Sequence, residues 1–340
     1  MSELTVIIPT WNQKRLLQNC LQSLQRQKVP CHVQVVDNGS TDSTKEMVKS
    51  IQPTFSCRLE YVNLGYNGGF AEAANIGIRS TSTEFVALLN NDTEADPGWV
   101  ETGVAALHQY PNYAILASKI IDYHRRKQLD SAGDCYTRGG IPYKRGRGQS
   151  VKGFSRIEPI LGASAAAAFY RRGLFEEIGF FDENFFMYLE DMDFCLRAHL
   201  AGHRCLYLPD AIVYHMEAAS DPGGRTMDQW NHGAIENDNS NLGQTVSRSG
   251  RYSANRTYWI TRNRWQLMIT YQPLRHIVWL VYGWVRSSFF HLLRAGYFGS
   301  FLLGFLAGLS VTPRALQKRF AISRTRTIPM SQFRELLKKC

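Results

Sequence analysis

Apolar and polar positions alternate in blocks along the first hundred residues. Leu4-Thr5-Val6-Ile7-Ile8-Pro9-Thr10 is a β-branched apolar run stopped by a proline, the pattern of a buried strand. Asn12 is placed to cap a helix, because apolar residues then recur at Leu16, Leu17, Cys20, Leu21 and Leu24 with helical spacing. His32–Val36 reads as a second strand, Ser43 to about Ile51 as helix, and Arg58–Val62 as a third strand. Ala71–Ser80 reads as helix and Phe85–Leu89 as a fourth strand. This alternation predicts an α/β fold with a mostly parallel sheet, whose ligand loops lie at the carboxyl ends of its strands. The polar clusters Asp37–Asp42, Asn63–Phe70 and Asn90–Asp92 fall at those ends.

Regularity fades from Asp122 to Pro159 and returns over Gly162–Ile178. Phe185–Gly202 reads as a loop and a helix closed by glycine, Cys205–Leu208 as a short strand before Pro209, and Ala211–His215 as another. Asp221–Gly250 is rich in Gly, Asn, Asp and Ser, which predicts a mobile loop. The expected organisation is a main domain over 1–220, that loop over 221–250, and a helical extension over 251–340.

Composition changes the picture mainly in the extension. With 44% hydrophobic and 12% aromatic residues, the 340-residue chain can fill a core, which excludes global disorder. The N-terminus shows no basic region followed by an apolar stretch, and the seven cysteines include no C-x-x-C pair. Both features predict a cytosolic protein. From Arg251 onward there are 15 Lys/Arg against one acid, Glu335, so the first 250 residues carry −4 of a net charge of +10. Such a tail suits phosphate groups, of lipid or of nucleic acid. Its apolar runs Ile277–Val285 and Ala295–Leu309 fall short of the ~20 residues needed to span a bilayer. Basic and aromatic flanks favour a segment lying in the membrane interface over nucleic-acid binding. The alternative is a helical pair packed on the main domain or on a second copy of the chain.

Candidate chemistry sits at the strand ends. Asp37 and Asn38 can read the edge of a pyrimidine, or form an ordinary turn. The glycine-rich loop with Gly68 and Gly69 precedes a helix whose N-terminus favours a diphosphate, although its spacing is not G-x-G-x-x-G. Asp92 suits Mg²⁺ or Mn²⁺, with Asn90 near ribose or metal-bound water; its alternative role is a helix cap. His215 could complete that site as a neutral imidazole. Glu190, Asp191 and Asp193 crowd the start of one helix, which suits a general base of tuned pKa or N-terminal capping. His199 and His203 lack a third ligand and read as structural. Arg138–Arg156 could grip acceptor phosphates or form a solvated surface.

These pieces together resemble the family-2 inverting glycosyltransferases of the GT-A fold, in particular their bacterial rhamnosyltransferase-like branch. The matching blocks are VIIPTWN (6–12), VVDNGSTDST (35–44), NLGYNGGFAEAANIGI (63–78) and LLNNDT (88–93). They continue with DSAG (130–133), GFFDENFFMYLEDMDFCLRAHLAGHR (179–204) and LPDAIVYH (208–215). The resemblance implies a GT-A sheet flanked by helices, with Pro9, Thr10, Asn12, Asp37, Asn38, Gly68, Gly69, Asn75, Asn90 and Asn91 around the nucleotide. It implies Asp92 and His215 as ligands of Mg²⁺ or Mn²⁺, Asp191 as catalytic base, and Glu190 positioning it or the acceptor. The first acid of the family's D-x-D element is Asn90 here, and Trp11 stands where Tyr is usual. The expected reaction moves L-rhamnose from a dTDP or UDP donor onto a lipid-linked glycan, at the inner face of the cell membrane. The alternatives are the same chemistry with galactofuranose, glucose or an N-acetylhexosamine, or a catalytically silent nucleotide-sugar-binding protein.

Overall fold

The computed structural model describes residues 2–216, 253–294 and 296–337; the expected loop over 221–250 lies outside the described residues. The chain forms two compact units, residues 1–216 with 325–340, and residues 217–324.

The first unit runs β1 (Leu4–Thr10), α1 (Lys14–Gln25), β2 (His32–Asp37), α2 (Thr44–Ile51), β3 (Leu59–Asn63), α3 (Gly69–Ser80) and β4 (Phe85–Leu89). It continues through β5 (Thr93–Ala95), α4 (Trp99–Gln109), β6 (Ile115–Asp122), β7 (Leu129–Ser131), β8 (Asp134–Tyr136) and β9 (Pro142–Lys144). Then follow β10 (Glu158–Ile160), β11 (Ala167–Arg171), α5 (Gly173–Ile178), α6 (Glu190–Leu200) and β12 (Cys205–His215). The main sheet has the order β10-β12-β6-β11-β4-β1-β2-β3, with β5 on β12 and β7 on β6, while β8 and β9 form a separate hairpin. β4, β1, β2 and β3 are parallel, as the alternation predicts. β11 enters antiparallel between β4 and β6, so the sheet as a whole is mixed.

Strand alternation supplies two cores. Val6, Ile8, Val33 and Val35 pack under α1 and α4 through Leu17, Leu21, Leu24, Trp99 and Leu107. Ile7, Val36 and Leu88 face the other way, toward Ala74 and Ile78 of α3 and the stacked rings of Phe175 and Phe194. Pro9 is buried in central strand β1, where a missing N–H would ordinarily cost a ladder bond. The pairing of β1 with β4 ends at Ile7, two residues earlier.

Two local expectations are corrected. Asn12 does not cap α1: it adopts φ 51°, and its Oδ1 accepts from Thr41 N at 2.7 Å. Asp42 holds the first turn instead, accepting from Lys14 N at 2.9 Å, a contact across 28 residues of sequence. Pro209 does not divide two strands either. β12 runs through it, and the register against β6 shifts between Leu208 and Ile212, a bulge that absorbs the proline.

The second unit contains α7 (Ala254–Tyr271), α8 (Ile277–Arg294), α9 (Phe298–Ser310) and α10 (Thr312–Thr325). Ser253 Oγ caps α7 by accepting from Arg256 N at 3.0 Å. Gly304 and Gly308 let α9 approach α7 closely, since a Cβ on either would lie 2.5 Å from Tyr258 O or 2.9 Å from Trp265 Cβ. Arg319 donates to the carbonyls of Ile269 (2.9 Å) and Gln272 (2.7 Å), serving the last turn of α7. Among the described residues no single helix is long and apolar enough to cross a membrane, although α9 and α10, bent by 54°, pass that test together.

The end of the chain departs from the expected 251–340 extension. α11 (Met330–Leu336) belongs to the first unit. Thr327 N donates to Leu200 O at 2.9 Å, Phe333 is fully buried, and Glu335, the tail's one acid, pairs with Arg138 at 3.1 Å.

Candidate active site

The carboxyl ends of β1, β2 and β4 carry the first group of candidate residues, and hydrogen bonds tie them into one framework. Asp37 is fully buried. Its Oδ1 accepts from Ser40 N (2.9 Å) and Ser40 Oγ (2.6 Å), and its Oδ2 accepts from the Tyr61 hydroxyl. Burial, then this contact, raises the Tyr61 pKa, so Tyr61 stays the donor. Asn38 donates from its backbone to Thr10 O at 2.9 Å, and its Oδ1 accepts from Gly68 N at 3.1 Å. Asn91 Nδ2 donates to Thr10 Oγ1 at 2.8 Å. The half-buried Asn90 is fixed through its backbone, donating to Ala166 O at 2.9 Å and accepting from Thr93 Oγ1 at 2.6 Å.

Among the residues expected around the nucleotide, Asn75 is instead held inside the protein. Asn75 is buried with its amide saturated: Nδ2 donates to Phe181 O (2.9 Å) and Glu183 Oε1 (2.8 Å), and Oδ1 accepts from Phe181 N (3.0 Å). It ties α3 to the segment before α6. At the start of α3, Gly68 N and Gly69 N bond to Asn38 Oδ1 and Asn67 Oδ1, and Ala71 N bonds to Phe186 O at 3.2 Å. Those amides have protein acceptors in this structure. Gly69 is required for another reason. Its φ is +83°, and a Cβ there would lie 2.4 Å from Phe186 O. Gly69→Ala should cost about 1–3 kcal/mol in urea unfolding; an unchanged midpoint would show that the Phe186 segment yields.

Strand pairing builds the second group. His215 ends β12 opposite Thr93, and Met216 N donates to Asp92 O at 3.0 Å, which brings the imidazole against the Asn90–Asp92 turn. His215 Nε2 lies 3.2 Å from Asp92 Oδ1, and Nδ1 lies 2.7 Å from Asp130 Oδ2. Asp130 also accepts from Lys144 Nζ at 2.9 and 2.7 Å. Burial would lower the His215 pKa, but Asp92 and then Asp130 outweigh it and raise it to about 10. Burial likewise opposes ionisation of Asp130, yet Lys144 and His215 hold its carboxyl well below the usual range.

The donors fit a divalent cation. One carboxylate oxygen and one imidazole nitrogen suit Mn²⁺, and octahedral bonds of about 2.1 Å place neighbouring donors about 3.0 Å apart. The separation found is 3.2 Å. No group of three His, Cys, Asp or Glu side chains forms a ready cage among the described residues. Asp92 and His215 would thus leave positions for diphosphate oxygens and water. Asp130 and Lys144 were not singled out from the sequence. Asp130 does open the DSAG block, whereas Lys144 lay in the irregular basic stretch.

The third group surrounds the N-terminus of α6. The turn before it carries Phe186, Tyr188 and Leu189 at φ of 60°, 68° and 71°, a strained run of non-glycine residues. Asp191 is partly exposed; its Oδ2 accepts from Ala165 N (3.0 Å) and its Oδ1 from Met192 N (2.7 Å). Burial of the carboxyl raises its pKa, against the pull of those two amides. Glu190 is 5% exposed, and its Oε2 has no hydrogen-bond partner. Burial and then the Asp191 charge push it well above the normal range, which favours its protonated form. Asp193 differs from both. It pairs with Arg197 Nε at 3.0 Å, and Arg197 donates to the carbonyls of Ile178, Gly179 and Phe180. His199 and His203 go to separate partners, Leu161 O and Glu177.

One backbone step joins the second and third groups. Ala165 N holds Asp191, and Ala166 O holds the turn that carries Asp92.

Residues 5–179 match the family described as Glycosyl transferase family 2. The N-acetylglucosaminyl-diphospho-decaprenol L-rhamnosyltransferase of Mycobacterium tuberculosis is 28% identical over 236 residues, 64% of this chain and 77% of its own. The low-salt glycan biosynthesis hexosyltransferase Agl10 of Haloferax volcanii is 25% identical over 206 residues, 58% of this chain and 62% of its own. Among solved structures, S. aureus TarS 1-349 in complex with UDP-GlcNAc aligns with a TM-score of 0.52 at 17% identity, covering 100% of this chain and 91% of that one. GalNAc-T7 with UDP, GalNAc and Mn²⁺ gives a TM-score of 0.53 at 14% identity, covering 62% of this chain and 43% of that one. The structural likenesses show the fold, a mixed GT-A sheet flanked by helices. The family match spans more than half of the sequence, and on that ground the chain belongs to glycosyl transferase family 2, as an enzyme that takes a sugar from a nucleotide-sugar donor.

Proposed function

We propose that the protein transfers L-rhamnose from a dTDP or UDP donor to a lipid-linked saccharide, with inversion, and that Asp191 is the catalytic base. The observation that carries the chemistry is Asp191, a partly exposed residue whose carboxylate is oriented by the amides of Ala165 and Met192. It accepts the proton of an acceptor hydroxyl as that oxygen bonds to the anomeric carbon. The bond from that carbon to the leaving diphosphate breaks on the opposite face, so one displacement inverts the centre. Glu190 beside it, in its protonated form, can donate a hydrogen bond to the acceptor. Asp92 and His215 would hold Mg²⁺ or Mn²⁺, which supplies positive charge for the leaving diphosphate.

Rhamnose and the lipid-linked acceptor are supported by the name of the mycobacterial relative. A cytoplasmic position on the inner membrane face is supported by the second unit. Its surface exposes Trp279, Tyr282, Leu303 and Leu306 in a tail of strong positive charge.

The test is a thermal-shift panel of nucleotide sugars with and without Mn²⁺, on wild type and Asp92→Ala. The cognate donor at 100 times its Kd should add about 2.7 kcal/mol of stability, dependent on Mn²⁺ and lost in the variant. Stabilisation by a UDP-hexose but not by either rhamnose donor would reject the proposed sugar. No response to any donor would reject the reading of the site.

A further inference from the structure

The two ring nitrogens of His215 have different neighbours. Nε2 faces Asp92 Oδ1 at 3.2 Å, whereas Nδ1 lies 2.7 Å from Asp130 Oδ2. Asp130 stands in β7, 85 residues earlier in the chain, and is 4% exposed. Both its oxygens accept from Lys144 Nζ, at 2.9 and 2.7 Å, and Lys144 ends β9 of the small hairpin. An ammonium therefore holds the carboxylate from one side while Oδ2 meets the imidazole from the other. A carboxylate only accepts, so Nδ1 carries hydrogen. In the neutral ring the lone pair is then on Nε2, the nitrogen that faces Asp92.

We infer that Asp130 is the positioning residue of this centre. It fixes the tautomer and ring plane of His215 so that Nε2 and Asp92 can share one divalent cation, and Lys144 holds Asp130 in place. The inference rests on Asp92 and His215 being the cation ligands. A carboxylate on the distal nitrogen of a ligating histidine is a recurrent outer partner, worth about 10–100-fold in metal affinity. The competing role for Asp130 is an ion pair with Lys144 that only ties β7 to β9.

Asp130→Ala and Asp130→Asn separate these roles, because asparagine keeps an oxygen for Nδ1–H but loses the charge that pairs with Lys144. Mn²⁺ binding to the full chain is followed by electron paramagnetic resonance in the presence of UDP, alongside thermal unfolding. Asp130→Ala should weaken Mn²⁺ binding about 10–100-fold, while Asp130→Asn stays within about threefold of wild type. Both variants should melt below wild type, since both lose the ion pair. Equal weakening of Mn²⁺ binding in the two overturns the inference, because the bridge to Lys144 then carries the effect. Unchanged binding in Asp130→Ala overturns it as well. A wild type that binds no Mn²⁺ with UDP overturns the ligand reading of Asp92 and His215 itself, and this inference with it.

Discussion

Asp191→Asn should keep donor affinity and lose transfer by about 100-fold or more. The substitution is nearly isosteric, and its oxygen can still accept from one of the two amides that orient the carboxylate, Ala165 N and Met192 N. Donor binding is assigned to other residues, so the Kd for nucleotide sugar, measured by calorimetry, should hold while kcat falls. The pH profile supplies an independent check. Burial raises the Asp191 pKa, and its charge acts on the buried Glu190 carboxyl beside it. A base acts only when deprotonated, so wild-type kcat/KM should fall as pH drops through that raised value. The acid limb then lies above the ~3.9 of an exposed aspartate and belongs to the pair rather than to one residue. The residual rate of the variant should lack this limb. Turnover near that of wild type would reject Asp191 as the base.

Asp193→Asn, two residues along the same helix, should do the reverse. Asp193 is 1% exposed and neutralises an Arg197 guanidinium that grips three backbone carbonyls. Removing one partner of a buried pair leaves the other charge uncompensated, at a cost of about 3–5 kcal/mol. Urea unfolding should register that loss, while the folded fraction keeps wild-type kcat. A fall in kcat with unchanged stability would move Asp193 into the chemistry. The two variants thus separate Asp193, which holds the helix, from Asp191, proposed as the base.

Sequence alone could reach the part of this architecture that rests on local pattern. β1 to β4 and their helices announce themselves through apolar spacing, because each element buries one face against a neighbour close in sequence. The antiparallel entry of β11 between β4 and β6 was not legible, since strand order is set by pairings between distant segments. Pro9 and Pro209 looked alike as strand stops, yet only the register against neighbouring strands shows why both are tolerated. The site divides the same way. Asp92, Asp191 and His215 stood out through residue type and the blocks around them. Asp130 reaches His215 across 85 residues of sequence, a proximity that spacing cannot express, and Lys144 joins the site only through its bond to Asp130. Asn75 shows the opposite error. It lies in a matched block, but its amide is saturated by Phe181 and Glu183.

The step from Ala165 to Ala166 bears on how such an enzyme diversifies. The groups that hold the base and the Asp92 turn there are a backbone N–H and a backbone carbonyl, which every non-proline residue supplies. Side-chain replacement at 165 or 166 thus deletes neither tether. Drift in donor or acceptor preference can therefore proceed around a reaction centre whose internal spacing is encoded by chain connectivity.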